Sequence, residues 1–189
     1  MFTRAGLPEV NGRPSPVRGS GVGGCAHEEH TMTDLHELEA IKRLKYKYLR
    51  CLDQKRWDEL ATCFTADARC SYGDGKYAFD GREAIMQFLE SSMPDTMLTS
   101  HRVHHPEIEL TGEGTATGVW ALDDVVIETQ QEFTIRGAAF YRDEYVKVDG
   151  AWKIRSTGYR RVYEEVQSRK ESASLKLTAN MFAGGSSEH

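Results

Sequence analysis

Several residues able to move a proton or hold a charge stand inside otherwise apolar stretches of this chain. Tyr48 lies among Leu44, Leu49 and Leu52, Asp53 directly follows Cys51-Leu52, and His101 opens a segment that runs to Leu110. Asp124 comes shortly after Trp120-Ala121-Leu122, and Arg161 lies between Tyr159 and Tyr163. An imidazole, a carboxylate and a phenol converging in one pocket make a general acid–base site that needs no cofactor. A free imidazole ionises at about 6.5, close to working pH, so it can take a proton and give it back. A carboxylate on its other ring nitrogen would fix the tautomer and stabilise the imidazolium, while a phenol in an apolar pocket can hold a developing enolate. Spacing alone does not show convergence. Each residue also has a plain structural alternative: Tyr48 as a core aromatic, Asp53 as a helix end, Arg161 as a surface charge.

Other chemistries lack their marks. There is no phosphate loop and no G-x-S-x-G nucleophile elbow. His101, His104 and His105 cluster, but no H-E-x-x-H helix accompanies them. Adjacent residues of an extended segment point to opposite faces, so His104 and His105 read as solvated or hydrogen-bonded side chains rather than metal ligands. The formal net charge is -5, without the basic excess that nucleic-acid binding needs. No apolar run approaches the ~20 residues of a membrane span. Cys25, Cys51, Cys63 and Cys70 form no C-x-x-C pair, which points to reduced thiols in a cytoplasmic protein.

A chain of 189 residues fits one domain able to bury a substantial core. Residues 1–31 are rich in Gly and Pro and show no apolar period, so they read as a disordered or non-native extension, with Met32 as the start of the folded chain. Thr33 or Asp34 can cap a helix in which Leu38, Ile41, Leu44, Tyr48, Cys51 and Leu52 form one apolar stripe. That helix should break near Asp53–Lys55. A short helical turn fits Trp57 to Phe64, and a third helix fits Gly81 to Ser91. Strands fit Cys70–Tyr72 and Lys76–Phe79 around Gly73-Asp74-Gly75, then His101–Leu110, Thr115–Ile127, Glu132–Val148 and Ala151–Val162, with a hairpin at Asp149-Gly150. Helices followed by meandering strands predict an α+β fold: a bent antiparallel sheet, covered on one face by the helices, with a pocket at its open end. The cone should span residues 32–167, leaving a tail over 168–189 that is partly ordered near 175–182.

The run Tyr48-Leu49-Arg50-Cys51-Leu52-Asp53 with Trp57-Asp58-Glu59-Leu60 resembles the SnoaL-like branch of the nuclear transport factor 2-like superfamily. The finer likeness is to the bile acid 7α-dehydratases. It is carried by Glu39 through Leu60, Ser71 to Lys76, His101 leading to Pro106-Glu107-Ile108, and Thr115 to Trp120. It continues through Gly137 to Tyr141, Thr157 to Tyr159, Arg161 to Glu165, and Asn180-Met181. The resemblance implies a cone-shaped fold and a cofactor-free dehydratase. It implies catalytic roles for His101 as base, Asp53 as its orienting carboxylate and Tyr48 as hydrogen-bond donor, with Tyr72, Asp124 and Arg161 as further pocket residues. The implied substrate is a hydrophobic steroid-like 3-oxo-4-ene with a 7α-hydroxyl, often a coenzyme A thioester, and the implied assembly is a homotrimer. The chain departs from the pattern at Ile127 to Arg136, a shorter stretch at the expected pocket mouth, and at Arg102, His104 and His105. Two alternatives stand beside the dehydratase: an isomerase or dehydrochlorinase on the same cone, and a non-catalytic ligand-binding or structural subunit.

Overall fold

The computed structural model describes residues 32–183; the expected extension over 1–31 and the last six residues lie outside them. Helix α1 spans Met32–Asp53, α2 Trp57–Ala61 and α3 Arg82–Ser92. Six strands follow the same order in the chain: β1 Phe64–Tyr72, β2 Tyr77–Asp80, β3 Met97–Gly112, β4 Thr115–Glu128, β5 Phe133–Val148 and β6 Ala151–Ser168. They form one sheet in the order β2-β1-β6-β5-β4-β3. The fold is therefore α+β, with a six-stranded sheet that does not close on itself.

The apolar stripe read from the sequence is the buried face of α1. Ile41, Leu44, Tyr48, Leu49, Cys51 and Leu52 join a core with Phe64, Trp120, Leu122, Tyr141 and Ile154. Thr33 and Asp34 lie within the first turn of α1 rather than at its cap, because the helix already begins at Met32. Its far end is sharply fixed. Lys55 adopts φ 55°, Lys55 N–H donates to Leu52 O and Arg56 N–H to Cys51 O. That pair of bonds is a Schellman stop, which leaves Asp53 in the last helical turn.

The turns follow their residue types. Asp149 and Gly150 both have positive φ, as a two-residue hairpin requires, and Gly81 at φ 90° leads the chain into α3. Register shifts in β3·β4, β5·β6 and β1·β6 bend the sheet around the helices. Four of the five strand pairings are antiparallel. The exception is β1, which runs parallel to β6, because α3 and the long meander intervene before the chain returns beside it. β6 also continues to Ser168, beyond the expected Val162, since β5 offers ladder partners as far as Phe133.

His104 and His105 do not point to opposite faces as an extended segment would require. His105 has φ 46° at a bulge, and its ring centroid lies 5.9 Å from that of His104. His104 Nε2 is 3.2 Å from an Asp123 carboxylate oxygen. Cys51, Cys63 and Cys70 are buried and unpaired. Among the described residues no helix is long and apolar enough to cross a membrane.

The parallel junction of β1 with β6 depends on Gly158, where an added Cβ would run into the Ser71 carbonyl oxygen. Backbone cannot yield there as a flexible side chain could. Gly158→Ala is expected to destabilise the fold by about 1–3 kcal/mol, the usual cost of overpacking. Thermal unfolding of the variant beside the wild type checks this; an unchanged midpoint would mean that the strand junction yields without cost.

Candidate active site

The end of α1 is pinned to the start of β3 by one carboxylate. Asp53 Oδ1 accepts from Thr99 Oγ1 at 2.8 Å and lies 2.7 Å from His101 Nδ1, while Oδ2 accepts from the His101 backbone N–H at 2.9 Å. Lys55 adds a fourth tie, donating to Met97 O at 2.8 Å. Burial pushes the Asp53 carboxyl up, but the His101 and Thr99 hydrogen bonds outweigh it and hold the group below its ordinary value. An ionised carboxylate only accepts, so His101 Nδ1 carries the proton and Nε2 is the basic nitrogen. The His101 side chain is 10% exposed.

His101 forms part of the wall of a cavity of about 450 Å³ between the helices and the concave face of the sheet. Tyr48, Tyr72, Asp124 and Arg161 line the same space, and Asp53 stands behind His101. All six residues singled out in the sequence thus come to one place, five on the cavity and one supporting it. Leu52, Phe88, Leu89, Val126 and Ile135 supply an apolar lining. A larger depression of about 780 Å³ on the other side of the sheet, lined by Phe140, Val119 and Val162, contains neither the imidazole nor its carboxylate.

Tyr48 and Tyr72 put their hydroxyl oxygens 3.2 Å apart in a buried pair. Burial drives both phenols well above their ordinary ionisation, so they remain neutral and act as hydrogen-bond donors. Helix geometry places Tyr48 there, in the middle of the buried stripe. Tyr72 arrives on the last residue of β1 and is wedged between Phe88 and Tyr159, with ring centroids at 6.3 and 5.5 Å.

Asp124 and Arg161 form a two-pronged pair at 2.5 and 2.8 Å across β5, which lies between their strands. The guanidinium reaches over because Gly137 stands opposite Asp124 in the ladder; a Cβ there would come within 2.7 Å of Arg161 Nη1. Burial lowers the Arg161 ionisation, but Asp124 more than offsets it and keeps the cation charged. Asp124 is also the ladder partner of His101, so the imidazole, the carboxylate and the glycine lie in one row across β3, β4 and β5.

Four participants were missed in the sequence. Thr99 shares the Asp53 carboxylate, and Tyr141 lines the cavity beside Tyr48. Lys45 and Asp143 form an ion pair with Nζ···Oδ2 2.7 Å and both side chains wholly buried. Two periodicities carried the signal. Lys45 is four residues after Ile41 and three before Tyr48, and Asp143 continues the inward alternation Ala139, Tyr141, Asp143, Tyr145.

Comparison with known proteins agrees with this architecture. The family model for the SnoaL-like domain matches residues 33–158. A candidate scytalone dehydratase from Novosphingobium aromaticivorans is 28% identical, with TM-score 0.66, covering 72% of this chain and 93% of its own. A hexachlorocyclohexane dehydrochlorinase from Novosphingobium barchaimii has TM-score 0.66 at 20% identity, covering 77% of this chain and 96% of its own, and so shares the fold. An uncharacterized protein of Mycobacterium tuberculosis strain H37Rv is 23% identical over 138 residues, 69% of this chain and 90% of its own length.

The lowered Asp53 ionisation has a consequence for folding. Its contribution to stability is fully present above the ordinary carboxyl value of 3.8 and is lost as pH falls through the lower folded-state value. Denaturant unfolding from pH 6 downward should therefore show a loss of stability below about 4 that is smaller in Asp53→Asn. Parallel curves for the two proteins would mean that the carboxylate is not held as described.

Proposed function

The chain belongs to the SnoaL-like domain family, and on that premise we propose that it is a cofactor-independent lyase that removes water from a hydroxylated polycyclic enone. One observation carries this reading: the His101 imidazole, held at 2.7 Å by the half-buried Asp53 carboxylate, borders a largely apolar cavity that two neutral phenols also line. The scytalone dehydratase likeness supports loss of water, and the dehydrochlorinase likeness supports elimination on the same fold with a different leaving group.

The chemistry follows from the charges. His101 Nε2 takes a proton from the carbon activated by the conjugated carbonyl, and the C–H electron pair spreads into a dienolate. The enone itself is the electron sink, so no separate group is needed to hold that pair. Tyr48 and Tyr72 donate hydrogen bonds to the carbonyl oxygen as it gains charge. Their ionisation is pushed far up, so they polarise without giving their protons away. The proton that leaves with hydroxide is then the one His101 has just gained. The dienolate collapses, the C–O bond breaks, the imidazolium protonates the departing oxygen, and diene and water are the products. Asp53 stabilises the imidazolium between the two transfers.

Substrate class is read from the lining. A cavity of about 450 Å³ falls within the ~300–1,000 Å³ of small-molecule sites, and its Phe88, Leu89, Val126 and Ile135 walls suit a flat apolar skeleton. A 3-oxo-4-ene 7α-hydroxysteroid fits that description and is the substrate class to test first. The exposed Phe140 and Val162 on the outer side of the sheet favour association of copies of this chain, read here as the homotrimer, which light scattering checks.

Incubation with such steroids should produce the dienone absorbance together with a mass loss of one water. His101→Ala should lower kcat by about 10²–10⁴-fold, and Tyr48→Phe by less. Undiminished turnover in His101→Ala would overturn the reading. A shifted double bond without water loss would instead assign an isomerase.

A further inference from the structure

Beneath the cavity lies a buried charge network that the reaction above does not use. Lys45 is fully buried on α1 and its Nζ is 2.7 Å from Asp143 Oδ2. Asp143 is otherwise satisfied: Tyr145 Oη donates to Oδ2 and Thr157 Oγ1 to Oδ1, each at 2.7 Å. Trp120 Nε1–H in turn donates to Tyr145 Oη at 2.9 Å. Gly118, the ladder partner of Asp143, leaves the room for this; a Cβ there would stand 3.0 Å from the Tyr145 ring and 3.1 Å from the Trp120 nitrogen.

Lys45 differs from the rest of the network in what its ammonium faces. Only one direction is taken by Asp143. Nζ also sits 3.5 Å from the centroid of the Tyr141 ring and 4.9 Å from that of Tyr48. Both of these phenols line the cavity. A buried ion pair is a weak source of stability, since apolar replacements of similar volume are often neutral or better. Core packing alone therefore does not account for a cation at this position.

We propose that Lys45 is a positioning residue for the oxyanion end of the cavity: held by Asp143, its ammonium clamps the Tyr141 and Tyr48 rings from below and favours negative charge on a ligand oxygen beside their hydroxyls. This rests on the dehydratase reading, in which that oxygen is the dienolate oxygen. Two effects combine. A cation against the π face withdraws electron density and strengthens the phenol as a donor. Its charge is opposed by Asp143 at 2.7 Å, but it lies directly against the Tyr141 ring, in a water-poor medium where a nearby charge is felt more strongly than in bulk water.

The test compares an anionic and a neutral ligand of the same shape. 4-Nitrophenol, held at a pH where it is the phenolate, stands in for the planar dienolate, and nitrobenzene is the neutral control. Affinities are measured for the wild type, Lys45→Met and the double variant Lys45→Met/Asp143→Asn. The double variant removes both charges and keeps one acceptor oxygen for Tyr145 or Thr157, leaving no unpaired buried charge, so it guards against misfolding of the single variant. The phenolate-to-nitrobenzene affinity ratio should fall about tenfold in Lys45→Met and by a smaller factor in the double variant, which also loses the opposing Asp143 charge, with nitrobenzene binding changed less than twofold. An unchanged ratio, or equal loss of both ligands, would assign Lys45 a purely structural role and overturn the proposal. If the wild type prefers the phenolate in a Lys45-dependent way but does not dehydrate enones, the proposed reaction fails and the positioning role stands. If the wild type binds neither ligand, the role fails too.

Discussion

Asp53 is the joint on which this molecule turns. Its two oxygens reach Thr99, the His101 backbone and the His101 ring, so one side chain fastens the last turn of α1 to the first residues of β3. The helix end has no freedom to drift, because Lys55 in the left-handed conformation stops it and Lys55 Nζ ties it to Met97. Imidazole orientation and helix docking are consequently one constraint rather than two. A substitution that disturbs the tautomer also loosens the contact between helix and sheet.

The sheet answers this joint with ladder order. His101, Asp124 and Gly137 fall opposite one another, and the missing side chain at Gly137 lets Arg161 cross β5 to reach Asp124. Three carboxylates around the cavity are thereby held: Asp53 by the imidazole, Asp124 by the guanidinium, Asp143 by Lys45. Unpaired, any of these carboxylates would be driven towards its neutral form in such surroundings. Paired, they leave a largely apolar hollow into which the imidazole and a set of phenols face.

Much of this is legible in the sequence wherever local period and polarity agree. The α1 stripe, the Gly73-Asp74-Gly75 turn and the Asp149-Gly150 hairpin are local patterns, and each forms where its residues favour it. The polar residues stood out only when they interrupted an apolar run, as Tyr48 and Asp53 do. Lys45 escaped because a lysine on a helix reads by habit as solvent-facing, although its position relative to Ile41 and Tyr48 puts it on the buried side. Asp143 was hidden in the same way, by the charged residues Arg142 and Glu144 on either side of it, which face outward. The parallel pairing of β1 with β6 and the bulge at His105 lie beyond local reading, since each depends on where distant segments meet.

The position of Asp53 on α1 bears directly on the chemistry. The C-terminal turn of a helix carries partial negative charge on its free carbonyls, which disfavours a carboxylate there. Burial disfavours it further, and the hydrogen bonds and charge attraction of His101, with the Thr99 hydrogen bond, reverse the balance. The helix terminus acts in the opposite sense on a cation beside it, while burial penalises an unpaired cation as it does an unpaired carboxylate. When the ring of His101 gains a proton, it meets a carboxylate and a helix terminus of the right sign, both already in place and needing no rearrangement. The helix-end position that makes Asp53 costly to the resting fold thus helps to stabilise the protonated state through which an elimination must pass.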